Sequence, residues 1–435
     1  MMTSWFGPPP GRREAHAMAW MAIAAGLILC CVSVLLGLAG GTLLGRPLGG
    51  DFVEFYTIGK ILNTAAPARV YDLNLETTLQ HAALPSMPET QMLIFAHSPF
   101  IASLFRPFAL LPYAWAYVAW LGFSAGLYLA ALALLFRTMG LQPDDRKTGF
   151  LLALSSTPFL FETWIGGQMS VVVFAIWVAF FWCLENDRRV LAGFVLALCL
   201  FKPTLVALPG LMLVVGRRWR VAGGLAAGGI AMALLSVATV GLDGCRGWLA
   251  ALAMNANMAA KSGEAWHEAK FVDMLAFFHL LLPNQPTLAL VASIAVAVIA
   301  VNWLGRAWWR SDSPGVDRRL WAATLCLTLV VSPYVPIYDA ILVAIAVALV
   351  APDRETLAGW LLPLYLIPWV TQSFAEFLHL QLMTMAVAGF GVWVMQRAGM
   401  ARVSRSSLGK EVSTMTRILH PGTPGTFKVR SRGLP

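Results

Sequence analysis

The sequence predicts an all-α protein that crosses a membrane many times, and three observations support that prediction. Of its 435 residues, 58% are hydrophobic and only 12% are charged, whereas a soluble globular chain has about 25% charged residues. Residues 17–45 contain no charged side chain, and about 20 apolar residues suffice to span a bilayer. Short basic clusters separate the later apolar runs, which is typical of membrane topology rather than of nucleic-acid binding.

Apolar runs between the charged positions indicate about twelve membrane segments. The first run is too long for a signal-peptide core of about 7–15 residues, so we interpret it as a retained helix. Several later runs are shorter than a full span requires, and short or broken membrane helices usually surround a cavity. The predicted segments are residues 17–45, 108–136, 149–162, 168–184, 190–201, 203–216, 219–241, 286–304, 320–333, 337–351, 356–372 and 379–396.

The charge distribution indicates how residues 191–216 fold. They could form one helix with Lys202 at its centre, or two short helices that turn at Lys202-Pro203, because proline disfavours an uninterrupted helix. With the turn, 23 of the 31 Lys and Arg residues lie on the cytoplasmic side, and without it only seven of these 23 remain there. The positive-inside rule therefore favours the hairpin, with both termini in the cytoplasm.

This topology assigns the long polar loops to the outer side of the membrane. The first loop covers residues 46–107 and begins with apolar side chains at helical spacing, which predicts an interfacial helix. The second loop covers residues 242–285 and contains tryptophans, which also suit an interface. We expect residues 1–396 to form the membrane domain, and the basic residues 397–435, rich in Ser, Gly and Pro, to form a disordered cytoplasmic tail.

Candidate site residues lie where the chain leaves the membrane on that outer side. Asp51 directly follows two glycines, and it could cap the interfacial helix or act as a general base. Lys202 could extend to the interface or bind a phosphate on a lipid carrier. Asp339 could stabilise a helix N-terminus or belong to the site. The other candidates for substrate binding are Gln168, which could bond a sugar hydroxyl or cap a helix, His97, Tyr56, Tyr338 and Glu54, the last interpreted as a carboxylate on a helix surface.

Motifs of several enzyme classes are absent from the sequence. It has no phosphate-binding glycine loop, no His-Glu-x-x-His and no Gly-x-Ser-x-Gly. The six cysteines lack metal-ligand spacing, and five of them lie within apolar runs. The sequence therefore gives little support to a soluble-type nucleotide enzyme, a metal centre or a disulfide framework.

The order of the outer motifs resembles a known family. An outer Gly-Asp-Phe and an aromatic-rich helix come first, and the motifs that follow are Val70-Tyr71-Asp72, Pro99-Phe100, Pro107-Phe108, Gly167-Gln168, Lys202-Pro203, Ser332-Pro333 and Tyr338-Asp339. Over about residues 49–351 this order is similar to that of the polyprenol-phosphate-mannose-dependent mannosyltransferases of glycosyltransferase family 87, which have the GT-C architecture.

The resemblance implies an inverting glycosyltransferase of a bacterial inner membrane, with its active site on the periplasmic face. It implies that Asp51 deprotonates a hydroxyl of a lipid or glycan acceptor, which then attacks the anomeric carbon of a hexose, such as mannose, on polyprenyl phosphate. Lys202 would meet the charge of the leaving phosphate. The resemblance implies no nucleotide, cofactor or obligatory metal ion.

Two other classes of function stay open at the level of sequence. Broken helices with an intramembrane charge are also typical of transporters, so a carrier or flippase for a lipid-linked sugar is a second hypothesis. A non-catalytic scaffold of the cell envelope is a third, but it does not explain Asp51 together with Lys202. The clustering of polar candidates on one side favours an enzyme, because alternating access requires polar groups that both sides can reach.

Overall fold

The computed structural model describes residues 12–43, 47–64, 66–88, 92–262, 268–311, 316–353, 357 and 359–397. Within these residues the chain is built from helices, and two described residues, Phe271 and Pro336, form an antiparallel bridge. The all-α prediction is therefore confirmed. The tail predicted at 397–435 lies outside the described residues, apart from Arg397.

The α-helices are numbered here in chain order. Short 3₁₀ segments connect several of them, and a π-helical segment, Pro158–Ile165, precedes α7. The helices are α1 (Arg12–Leu38), α2 (Phe52–Thr64), α3 (Leu73–Ala83), α4 (Pro99–Ala102), α5 (Tyr113–Thr138), α6 (Pro143–Leu154), α7 (Ser170–Glu185), α8 (Arg189–Ala197), α9 (Thr204–Val215), α10 (Trp219–Ser262), α11 (Met274–Leu281), α12 (Pro286–Trp309), α13 (Arg318–Val331), α14 (Val343–Val350), α15 (Leu361–Leu378) and α16 (382–397).

Four helices of the described chain are long and apolar enough to cross a membrane, so the protein is membrane-embedded. They are Arg13–Leu38, Tyr113–Thr138, Trp219–Met254 and Pro286–Trp309. A fifth span results if Pro158–Ile165 and Ser170–Glu185, which are bent by 120°, count as one. Other predicted segments form apolar helices of only 10–17 residues. The prediction of about twelve segments is therefore not confirmed, because helix length alone identifies fewer.

The packing of α8 against α10 determines the path of the chain around Lys202. The contacts advance in the same direction along both helices, from Val190 against Gly224 to Ala197 against Gly228. The two helices are therefore parallel, and α9 between them runs back in the opposite direction. The chain turns at Lys202, as the hairpin prediction requires.

The loops predicted to be cytoplasmic meet at one end of the helices. Arg318 at the start of α13 donates to Glu185 at the end of α7 (2.8 Å) and to the carbonyl of Met139 after α5 (3.2 Å). Arg319 donates to the carbonyl of Arg397 at the end of α16 (3.3 Å). This arrangement agrees with the separation of loops in the predicted topology, whose orientation in a membrane stays a prediction.

The first outer loop is more compact than the sequence predicts. A helix that lies along the membrane interface exposes one polar face to water. In the structure, however, ten of the 13 residues of α2 are buried. The cause is close packing against the short helices later in the same loop. At Gly59 an added Cβ would lie 2.5 Å from the carbonyl oxygen of Phe105, so the two backbones are in direct contact.

The second outer loop covers part of the first. Gly241 breaks α10 with a left-handed φ of 73°, where the sequence places the end of a membrane segment. Beyond the break, Gly247 packs on the ring of Tyr71, and the indole of Trp248 donates to the carbonyl of Ala96 (3.2 Å). The two outer loops therefore form one layer at the end of the helices opposite the arginine contacts.

The contact between α8 and α10 predicts opposite effects for two glycines. At Gly193 an added Cβ would lie 1.9 Å from the carbonyl oxygen of Val221, whereas nothing lies within 4 Å of a Cβ at Gly223. We expect Gly193→Ala to destabilise the protein by about 1–3 kcal/mol, because the helices must separate. Gly223→Ala should be neutral or stabilising by up to about 1 kcal/mol. Thermal unfolding in detergent compares the two, and equal midpoints would contradict the close contact between α8 and α10.

Candidate active site

Two glycine turns bring the first outer loop against the start of α7. Gly50 has a left-handed φ of 51°, and an added Cβ there would lie 2.9 Å from the carbonyl oxygen of Gly166. At Gly167, where φ is 72°, it would lie 2.5 Å from the carbonyl oxygen of Gly49. The backbone N–H of Asp51 donates to the Gly166 carbonyl (3.1 Å). Only glycine combines these backbone angles with this distance of approach.

One face of α5 holds both turns in place. The hydroxyl of Tyr113 donates to the carbonyl of Leu48 (2.7 Å), immediately before the first turn. One helical turn later, the hydroxyl of Tyr117 donates to the carbonyl of Ile165 (2.8 Å). The indole of Trp120 then donates to the carbonyl of Gly167 (3.1 Å). Since the three rings are buried and packed around Phe52, the two turns have a fixed relative position.

The turns place two predicted site residues side by side. The side-chain amide of Gln168 donates to the Asp51 carboxylate. Gln168 is buried, and Asp51 is half-buried. An amide donor orients a carboxylate without neutralising it, so Asp51 keeps the basic oxygen that a general base needs.

A buried ion pair forms the second part of the site. Nζ of Lys202 donates to Oδ1 of Asp339 (2.7 Å), and the two side chains are 8% and 3% exposed. The hydroxyl of Ser170, at the start of α7, donates to the same oxygen (2.9 Å). The ring of Tyr338 lies under the ammonium, 4.5 Å from Nζ to the ring centroid. Lys202 therefore points inward and does not extend to the interface.

Glu54 connects the two parts, and its interpretation as a carboxylate on a helix surface is wrong. Glu54 is 9% exposed, because α2 is covered on nearly all sides. Burial, then the negative charges of Asp51 and Glu76, raise the pKa of the Glu54 carboxyl well above its usual range, and Lys202 opposes them. These surroundings favour the protonated form of the Glu54 carboxyl, in which it can donate a hydrogen bond.

His97 closes the site from the side of the first loop. Its Nδ1 donates to the carbonyl of Phe201 (3.3 Å), next to Lys202, and its own carbonyl accepts from the hydroxyl of Tyr71 (2.7 Å). Burial, followed by the nearby positive charge of Lys202, lowers the pKa of His97 to about 3. The imidazole is therefore neutral, and with Nδ1 protonated its Nε2 is an acceptor.

Tyr56 is the candidate that the structure does not bring into this cluster. Its hydroxyl donates to the carbonyl of Leu111 (3.0 Å), and its ring packs edge-on against Tyr113. Sequence reasoning also missed Ser170 and the buried Glu76. Ser170 lies two residues after Gln168, at the first position of a helix, and that position was the only available signal.

The cluster joins one oriented carboxylate, one buried carboxyl of raised pKa and one buried ammonium at the end of a set of apolar helices. Such a set can remove a proton from a hydroxyl and stabilise negative charge on a neighbouring group. Among the described residues, no three His, Cys, Asp or Glu side chains are grouped so that they could hold a metal ion.

Comparison with known proteins gives one match. A family model described as glycosyltransferase family 87 matches residues 95–333, more than half of the chain. The matched region contains His97, Gln168 and Lys202, whereas Asp51 and Asp339 lie outside it. No curated protein and no solved structure matches the chain.

Glu76 gives the first outer loop a testable pH dependence. Its Oε2 accepts from the backbone N–H of Phe95 (3.3 Å), and burial is the main cause that raises the pKa of Glu76 to about 8. Since the unfolded carboxyl titrates near 4.5, its contribution to stability is greatest below that pH. The contribution is lost as the pH rises to about 8, by at most about 1.4 kcal/mol per pH unit.

We expect Glu76→Gln to remove this dependence, because a neutral amide oxygen can still accept from Phe95. Unfolding midpoints of both proteins in detergent between pH 5 and 8.5 measure it. The wild type should lose stability relative to the variant as the pH rises, and parallel curves would show that Glu76 does not titrate in this range.

Proposed function

Because the chain belongs to glycosyltransferase family 87, we propose that it moves a hexose from a polyprenyl-phosphate donor to a lipid or glycan acceptor. The observation that supports this proposal most directly is the pairing of Asp51 with Gln168 beside the buried Lys202–Asp339 pair. A carboxylate base and a cation are the two groups that transfer from a lipid phosphate requires.

In the proposed reaction Asp51 is the general base. Its carboxylate takes the proton of the acceptor hydroxyl as the hydroxyl oxygen forms a bond to the anomeric carbon. The bond between that carbon and the phosphate oxygen breaks, and the phosphate retains its electron pair. Attack from the face opposite the leaving group inverts the anomeric centre. Gln168 keeps the Asp51 carboxylate oriented throughout.

Lys202 is the proposed partner of the leaving phosphate. An ammonium has three N–H donors, of which Lys202 gives one to Asp339. The others can bind a phosphate oxygen as negative charge develops on it, in a site where burial strengthens the interaction. Asp339 and Tyr338 then act as positioning residues, since both contact the ammonium.

An apolar cavity next to the ion pair suits the lipid part of the donor. It has a volume of about 460 Å³ and is lined mainly by aliphatic side chains of α6, α14 and α15. The lining begins at Ala340, the residue after Asp339, and continues to Ala351 at the far end of α14. The eleven helical steps from Ala340 to Ala351 cover about 16 Å, a length that an isoprenoid chain can fill.

The proposed location is the periplasmic face of a bacterial inner membrane. It rests on the count of basic residues, which assigns the glycine turns and Lys202 to the outer side. The donor is proposed to carry mannose or another hexose, which follows from the family resemblance alone. Family membership favours an enzyme over a carrier, because the family is one of transferases.

The proposed base predicts the outcome of a matched pair of substitutions. Asp51→Asn should lower transfer from radiolabelled polyprenyl-phosphate hexose into membrane lipids by about 10²–10⁴-fold, the usual contribution of general base catalysis. Asp72→Asn is the control, because Asp72 lies in the same loop but pairs with Arg69 at the surface (2.8 Å). It should leave transfer within about two-fold, as is usual for exposed pairs.

Undiminished transfer by Asp51→Asn would contradict the assignment of the base. If neither protein transfers any lipid-linked hexose, but vesicles containing the wild type translocate the sugar-lipid, the carrier hypothesis replaces the enzyme.

The apolar cavity predicts a dependence on the length of the donor lipid. Ala348→Phe places a ring in the cavity, whose wall includes Val347 and Ala348. If the ring displaces two methylene groups of a long polyprenyl chain, KM for that donor should rise roughly ten-fold. A ten-carbon donor should be unaffected, because Ala348 lies about 12 Å along the helix from Ala340, beyond the reach of its chain. Steady-state kinetics with both donors measure the difference, and an equal loss with both would exclude this cavity as the lipid site.

A further inference from the structure

A second cavity lies at the end of the helices opposite the active site. It has a volume of about 400 Å³ and lies where the turns α7–α8 and α9–α10 meet the start of α13. Four arginines line it: Arg189, Arg217, Arg218 and Arg220. Neither the proposed reaction nor the family match gives this cavity a role.

The carboxylates around this cavity already have partners. Asp187 pairs with Arg189 (2.7 Å), and Glu185 pairs with Arg318 (2.8 Å). Asp317 accepts from the N–H of Leu320 as the cap of α13. No carboxylate of the described residues forms an ion pair with Arg217 or Arg220. The wall of the cavity therefore carries positive charge that a bound anion could compensate.

Arg217 is held in place at a local cost in backbone energy. Its φ of 55° is in the left-handed region, which favours glycine. Its guanidinium lies 3.9 Å from the ring centroid of Trp309. Glycine would adopt this turn with less strain. The path of the backbone therefore does not explain why an arginine occupies this position.

The rest of the wall is apolar. Leu213, Val221, Trp308 and Trp321 line the cavity beside the arginines. Trp219, which also lines it, and the neighbouring Trp309 are 62% and 59% exposed at the ends of long apolar helices. Exposed tryptophans at such helix ends are typical of the level of lipid headgroups.

We propose that this cavity binds the phosphate headgroup of an anionic phospholipid. Arg217 and Arg220 would bind the phosphate oxygens. The acyl chains would lie along the exposed face of α10, which starts at Trp219. A free phosphate would satisfy the arginines but would leave the apolar half of the wall without a partner. The site is separate from the proposed active site, so each proposal can fail alone.

The experiment measures the binding of phosphatidylglycerol to the full chain in detergent by native mass spectrometry, with thermal unfolding as a second readout. Phosphatidylcholine and inorganic phosphate are the comparison ligands. The test variant combines Arg217→Gly, which relaxes the strained turn, with Arg220→Gln. Each arginine near an anionic lipid contributes about 1 kcal/mol, so the double variant should bind phosphatidylglycerol roughly 30-fold more weakly.

Asp187→Gly is the matched control. Asp187 also has a left-handed φ, of 54°, and also lines the cavity, but its charge is opposite. Its loss should leave phosphatidylglycerol binding equal or stronger, because the variant removes a negative charge from the wall of the cavity. The wild type should bind phosphatidylglycerol and be stabilised by it, whereas phosphatidylcholine should have little effect.

Three results would overturn the proposal. The double variant could retain wild-type binding, or phosphatidylcholine could bind as well as phosphatidylglycerol. Alternatively, inorganic phosphate alone could give the same stabilisation, which would identify a soluble anion as the ligand. Arg217→Gly removes strain from the turn, so the double variant should remain folded. Its unfolding midpoint without lipid distinguishes loss of binding from loss of folding.

Discussion

The contact between two glycine pairs is the constraint on which the candidate site depends. Gly49 and Gly50 lie against Gly166 and Gly167 so closely that an added Cβ at Gly50 or Gly167 would meet backbone atoms. This contact fixes the distance between the loop that carries Asp51 and the helix that begins just after Gln168. Hydrogen bonds from α5 to both turns make the position rigid. The proposed base and the amide that orients it thereby become neighbours although 117 residues separate them.

Most charged groups of the site lie next to a group that compensates their charge. Lys202 and Asp339 lie together in a nearly dry environment, where either alone would be strongly destabilising. Burial and the neighbouring carboxylates raise the pKa of Glu54, which opposes a third negative charge at the site. Asp51 is the half-buried member, and it is accessible to an acceptor hydroxyl. The buried groups therefore set the electrostatic field, and the accessible carboxylate performs the proposed proton transfer.

Local signals in the sequence predicted much of the fold. Lys202-Pro203 and the balance of basic residues predicted the hairpin, and the end of an apolar run predicted the break at Gly241. The same signals identified Asp51, Gln168, Lys202 and Asp339 as candidates. They could not predict which of these residues pair, because pairing depends on contacts between distant parts of the chain. Glu54 was misjudged for that reason, since its burial comes from short helices that follow α2 in the first loop.

The distance along the chain between Lys202 and Asp339 affects how the protein is made. Asp339 is synthesised 137 residues after Lys202, which at about 5–20 residues per second is a delay of roughly 7–27 s. During that interval the α8–α9 hairpin has a lysine at its tip and no counter-ion. An unpaired ammonium is expensive in the bilayer interior, so we expect the hairpin to insert fully only after Asp339 has been made. Completion of the ion pair is then a late step of biosynthesis.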